Sequence, residues 1–186
     1  NRYIYTVLSK YGKADLAYQI LTTPDFPSQT YVMNSGFTTW PERQFEWEKM
    51  EGPTNSLNHP MHSGFAAYFY ESLGGIKSSE SNLGYKLFLV DPEFPSAITT
   101  TEVSVPTPYG AIKNGWEATN GALRMNLHVP FNTKAKLVLT PSELESLKIN
   151  GQSLEDFQNE ITLEIKEEAV VLGSGEYKIE YSRTSI

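Results

Sequence analysis

The chain has 186 residues, with 22 acidic against 15 basic side chains, a formal charge of −7 and no cysteine. The acidic excess disfavours nucleic acid and anionic membranes as partners, because both call for clustered basic side chains. Without cysteine, disulfides, thiolate metal sites and cysteine nucleophiles are excluded, while the compartment stays open.

The length allows a real core, in one large domain or two small ones. No apolar run approaches a membrane span, and Asn1 leads directly into Tyr3, Ile4 and Tyr5 without a charged leader or cleavage site. The chain therefore reads as a piece of something longer.

The N-terminal part has a helical period. Leu16, Ile20 and Leu21 form one apolar face, and Met61, Phe65, Phe69 and Leu73 recur at steps of four. Pro60 suits a first helical turn, where its missing N–H costs nothing, and Gly74-Gly75 is a stop, so a helix is predicted from about Pro60 to Leu73. Tyr3, Tyr5, Tyr11 and Tyr18 read as core and interface residues rather than as a ligand platform.

Between the helical stretches lies NSGFTTWPER, residues 34–43, which fits neither period. On composition alone Glu42 would be a solvated loop carboxylate paired with Arg43 or Lys49. Its neighbours Glu46, Glu48 and Glu51 lack the alternating oxygen-ligand spacing of a calcium loop. His59 and His62 lack the third and fourth ligands of a zinc site, so no metal and no cofactor is expected.

After the polar stretch Lys77–Asn82 the period changes to two. Leu123, Met125, Leu127 and Val129 alternate with polar residues, as do Ile161, Leu163 and Ile165, then Tyr177, Ile179 and Tyr181. Asn120-Gly121 and Asn150-Gly151 supply the positive φ angles of tight hairpin turns. Pro141–Glu145 is expected to form one short capped helical turn. The fold class is thus α+β by segments: helices over residues 1–76, then an antiparallel β-sandwich over 77–186 with Trp116, Leu123, Leu127, Ile161 and Leu163 pointing inward.

An ordered series of short motifs runs along the chain: ADLAYQIL (14–21), FPS (26–28), GFTTWPE (36–42), SLNHPM (56–61), GGI (74–76), GYK (84–86), PYGAI (108–112), the isolated Trp116, VPFNT (129–133) and GSGEY (173–177). Each is weak alone; in this order and spacing they resemble the C-terminal portion of bacterial α-L-rhamnosidases, over nearly the whole chain. The resemblance implies the last helices of a catalytic α/α toroid followed by a C-terminal β-sandwich. It also implies an inverting glycoside hydrolase, in which one carboxylic acid protonates the leaving oxygen and a second carboxylate activates water.

The family's Thr-Thr-x-x-Glu element corresponds to Thr38, Thr39 and Glu42, which makes Glu42 the implied general base. The general acid lies upstream of this segment in the family. Trp40 would offer an apolar face to the sugar ring, and Asn58 and His59 would hydrogen-bond sugar hydroxyls. Two departures stand out: Pro41 intervenes between tryptophan and glutamate, and Gln29 follows Pro27-Ser28 where the family often has an aromatic.

The partners implied are rhamnose-containing glycosides or polysaccharides and the preceding part of the same enzyme, with neither nucleic acid nor membrane. A chain holding only the last toroid helices is expected to be inactive, and either to repack these helices on the sandwich or to self-associate. Two alternatives stay open: an autonomous carbohydrate-binding or scaffolding β-sandwich module, and another inverting glycosidase built on an α/α toroid.

Overall fold

The computed structural model describes residues 3–43, 56–79, 83–119, 121–157 and 169–183, and the chain divides into two units, Asn1–Tyr68 and Phe69–Ile186. In the first unit α1 (Ile4–Lys10), α2 (Ala14–Thr22) and α3 (Gln29–Asn34) follow one another through short turns. Gly12, at φ +69°, supplies the left-handed residue between α1 and α2. Ser28 caps α3 by accepting from the Tyr31 N–H at 2.8 Å, and the Thr30 hydroxyl ties its first turn to the Leu21 carbonyl at 2.9 Å.

The buried stripe of this unit differs somewhat from the one the apolar spacing suggests. Tyr5, Ala17, Leu21, Val32 and Tyr68 are buried, whereas Leu16 is exposed. Ala17 lets α2 approach its neighbours closely, and the Tyr5 and Tyr68 rings meet at 6.0 Å.

Residues 60–73 are helical throughout, within the bounds set by Pro60 and Gly74, but not with one pitch. Pro60–Phe65 winds as a 3-10 helix and Tyr68–Leu73 as a π-helix. Tight and wide windings place residues four apart on different faces, so Met61 and Phe69 are exposed while Leu73 is buried. Gly75 then takes φ +69°, and a Cβ there would collide with the Pro92 backbone, so the stop requires glycine.

The second unit is the sandwich. One sheet pairs β1 (Ile76–Ser78), β2 (Leu87–Val90), β6 (Lys134–Val138) and β9 (Ala169–Leu172) in that order. The other has β3 (Thr100–Thr107), β4 (Gly110–Thr119), β5 (Ala122–Val129), β10 (Gly175–Ser182), β7 (Lys148–Ile149) and β8 (Gln152–Ser153). Among the described residues all pairings are antiparallel except β2 with β6. The polar stretch after Ile76 is therefore partly structured, since Ile76–Ser78 forms the β1 edge strand.

Alternation decides which residues face inward. Ile112 and Trp116 from β4, Leu123, Met125 and Leu127 from β5, and Tyr177, Ile179 and Tyr181 from β10 form one core with Phe88, Val90, Leu137 and Leu172. Each large aliphatic side chain so buried stabilises the fold by about 1.5–3 kcal/mol relative to exposure. Asn150 and Gly151, at φ 52° and 82°, form the left-handed pair that turns β7 into β8. Gly121, at φ 78°, sits in the β4–β5 turn; Asn120, with Ile161, Leu163 and Ile165, lies outside the described residues.

The short capped turn is α4 (Pro141–Ser146). Thr140 and Glu143 form a reciprocal capping box, with the Thr140 N–H donating to Glu143 Oε2 at 2.8 Å. A four-residue helix, α5 (Leu154–Phe157), follows β8. The start of this unit is held from within: Trp116 Nε1 donates to the Leu73 carbonyl at 2.7 Å, and Asn114 Nδ2 to that of Gly74 at 2.8 Å.

Candidate active site

The residues singled out in the non-periodic stretch and those just before Pro60 lie side by side in the first unit. Three hydrogen bonds join the two segments. The Thr39 hydroxyl donates to the Leu57 carbonyl at 2.6 Å, the His59 N–H to the Trp40 carbonyl at 2.6 Å, and the Glu42 N–H to the Ser56 carbonyl at 2.8 Å. The backbones that carry Trp40, Glu42, Asn58 and His59 are therefore fixed relative to one another, although the bonded residues lie 14 or more positions apart in sequence.

Local chemistry explains why the segments hold this shape. Ser56 Oγ accepts from the Asn58 N–H at 3.2 Å, a serine turn that presents Leu57 and Asn58 outward from the bend. His59 is extended, at φ −117° and ψ 105°, because the following Pro60 disfavours the helical region for it. Pro41 is buried and contributes no N–H to the stretch.

The side chains differ in exposure. Trp40 is half-buried, with its ring edge-on to Phe65 at 4.8 Å between centroids, so its orientation is set by packing rather than by a ligand. Glu42 is half-buried and Asn58 exposed. His59 Nδ1 is buried without a hydrogen-bond partner among the described residues, and the ring lies 5.9 Å from that of His62. The paired segments thus carry a carboxylate, an amide, an imidazole and an indole, groups that can accept protons, hydrogen-bond hydroxyls and cover a C–H face. Glu46, Glu48 and Glu51, and Lys49 as a partner of Glu42, fall outside the described residues.

Thr39, Ser56 and Phe65 contribute to this geometry although composition and period give them no role of their own. For Ser56 the signal is visible in hindsight, since serine two residues before asparagine favours a turn. For Phe65 it is not, because the residue looks like part of a regular apolar stripe.

Residues 1–73 match the bacterial alpha-L-rhamnosidase 6 hairpin glycosidase domain, and residues 75–153 match the bacterial alpha-L-rhamnosidase C-terminal domain. The chain belongs to the bacterial α-L-rhamnosidase family. It is 71% identical over 98% of its length to an alpha-L-rhamnosidase of Formosa agariphila, and 35% identical over 71% of its length to one of an Alteromonas species. This rhamnosidase-family chain spans 19% and 15% of those two relatives.

The fold agrees. A rhamnosidase of Dictyoglumus thermophilum superimposes at a TM-score of 0.78 with 26% identity, over 98% of this chain and 20% of that one. The Streptomyces avermitilis enzyme solved with L-rhamnose superimposes at 0.79 with 21% identity, over 97% of this chain and 17% of that one. Helices from the end of a toroid followed by a β-sandwich are the architecture of the chain, as its motifs implied.

Proposed function

We propose that the chain is the C-terminal part of an enzyme that hydrolyses terminal α-linked L-rhamnose with inversion, and that Glu42 is its general base. The observation that carries this is the pairing of residues 39–42 with 56–59, which brings Glu42 beside Trp40, Asn58 and His59. In an inverting hydrolase the base carboxylate draws a proton from water as that water attacks the anomeric carbon, while a second carboxyl group gives its proton to the departing oxygen. Glu42 is held through its backbone N–H, a bond that does not engage its carboxylate oxygens.

Trp40 would cover the apolar face of the rhamnose ring and exclude bulk water, and Asn58 and His59 would hydrogen-bond ring hydroxyls. The general acid is contributed by a preceding part of the same polypeptide. The division between the catalytic helices and the sandwich lies close to residue 76, and rhamnose-bearing glycosides or polysaccharides are the substrates. By itself the chain has one of the two carboxylates and no turnover is expected from it. Its exposed Tyr3, Val7, Tyr11 and Met33 are covered by the rest of the toroid in the parent, and in isolation either by repacking of the helices on the sandwich or by self-association.

In the full-length parent, Glu42→Gln should lower kcat by at least about two orders of magnitude, the scale of a lost general base, with KM little changed. Near-normal turnover of that variant on an aryl α-L-rhamnoside would remove Glu42 from the role.

A further inference from the structure

The outward face of the six-stranded sheet carries an open trough of about 500 Å3, lined by residues of the second unit. Its floor is at Gly115, in the middle of β4. Glycine inside a strand costs about 0.5–1 kcal/mol relative to alanine, and where it occurs it usually marks a bulge, a special backbone angle, or the close approach of another backbone or a ligand.

The protein's own structure supplies none of the first three causes. The register is unbroken on both sides, Gly115 pairing with Glu102 and Asn126 while Asn114 and Trp116 pair in step, so there is no bulge. Gly115 is absent from the glycines with positive φ. A Cβ at this position would meet Thr101 O at 3.4 Å and the Glu102 side chain at 3.6 Å, both ordinary contacts. What the missing side chain provides is room on the outward face.

The chemistry around that room is mixed in sign. Across the floor the register runs from Glu102 through Gly115 and Asn126 to Lys178, an acceptor, a gap, an amide and a donor. The flanking rows carry their own pairings, an ion pair of Arg124 Nε with Glu180 Oε1 at 3.8 Å and a hydrogen bond between His128 Nδ1 and Glu176 Oε1 at 2.6 Å. Acidic and basic groups alternate, so a strongly charged ligand would meet repulsion in every orientation. A neutral molecule that both donates and accepts hydrogen bonds along its length would not. With adjacent strands about 4.8 Å apart, the backbones carrying Glu102 and Asn126 stand about 10 Å apart across Gly115, and the Glu102 side chain borders the space the glycine leaves.

We propose that this trough is an accessory binding site for a neutral oligosaccharide, separate from Glu42 and its neighbours. The choice of a sugar among neutral polyhydroxylated ligands rests on the function proposed above; the site itself does not.

The test is an NMR titration of the 186-residue chain with a neutral rhamnose-containing trisaccharide, with a trihexuronate as the anionic comparison. Saturable shifts are expected at Gly115, Asn126 and Lys178 with the neutral sugar and not with the anionic one. Gly115→Val, which fills the floor, and Asn126→Ala, which removes an exposed amide, should each weaken the affinity about tenfold, or about 1.4 kcal/mol, while keeping the dispersed spectrum. The proposal is overturned by the absence of saturable shifts in the trough, by equal binding of the trihexuronate, or by unchanged affinity in both variants. Failure of the catalytic proposal would instead appear as turnover by the Glu42→Gln parent, which these titrations do not touch.

Discussion

The two units handle their apolar and polar groups differently. The sandwich gathers aliphatic and aromatic side chains from both sheets into one core, and the buried Trp116 N–H has a carbonyl partner, although Phe131 is exposed and Asn114 Oδ1 is buried with no partner among the described residues. In the helical unit Tyr11 is 74% exposed, Met33 62% and Met61 50%, while Ser9 Oγ, Gln29 Oε1 and His59 Nδ1 are buried with no hydrogen-bond partner among the described residues. A sandwich completes its burial with its own two layers, whereas a toroid helix needs a neighbour on each side. The difference shows why the sandwich can be understood as a self-contained object and the helical unit only as part of a larger one.

Separating the units gives the largest expected effect on this contrast. A polypeptide of residues 69–186 should unfold in a single cooperative transition, and one of residues 1–68 should show none, as followed by circular dichroism against denaturant. Starting instead at Leu83 removes β1 and the carbonyls of Leu73 and Gly74, so that truncation should have a lower midpoint than 69–186. Cooperative unfolding of residues 1–68 would break the comparison.

A smaller effect is expected at the indole that holds the start of the sandwich. Trp116→Phe keeps most of the buried ring area but leaves the Leu73 carbonyl without its donor, which should cost about 1–3 kcal/mol in denaturant melts of the chain. A change under about 0.5 kcal/mol would mean that water replaces the indole without penalty.

The smallest expected effect depends on pH. Burial pushes the Glu93 carboxyl above its ordinary value, opposed by Lys77 and Arg183 and aided by Asp91. The folded state therefore favours the protonated acid, so this group's contribution to stability is present in acid and is lost as pH rises from the ordinary carboxyl range, near 4.5, through the raised value. Glu93→Gln should accordingly raise Tm at pH 7 and leave it nearly unchanged at pH 4, by scanning calorimetry at both values. An equal change at both would assign the effect to packing.

Legibility in the sequence followed the same divide. In the sandwich, period-two alternation placed Leu123, Met125, Leu127, Tyr177, Ile179 and Tyr181 inward, and Asn150-Gly151 gave its turn, because both signals depend on a few neighbouring residues. For the helical stretch 60–73 the limits were legible from Pro60 and Gly74-Gly75, but the change from 3-10 to π winding was not, so the buried stripe could not be read from steps of four. For the candidate site, the residue types and their family correspondence were visible. The hydrogen bonds that bring Thr39, Trp40 and Glu42 against Ser56, Leu57 and His59 join segments far apart in sequence, and no local period encodes them.

The most direct test of the base assignment is the product that the Glu42→Gln parent forms in the presence of azide. An anion that needs no deprotonation can replace the activated water, so the account predicts recovery of turnover on an aryl α-L-rhamnoside and formation of the β-configured rhamnosyl azide, read by proton NMR. Near-wild-type hydrolysis in the absence of azide, or an α-configured azide product, would contradict it.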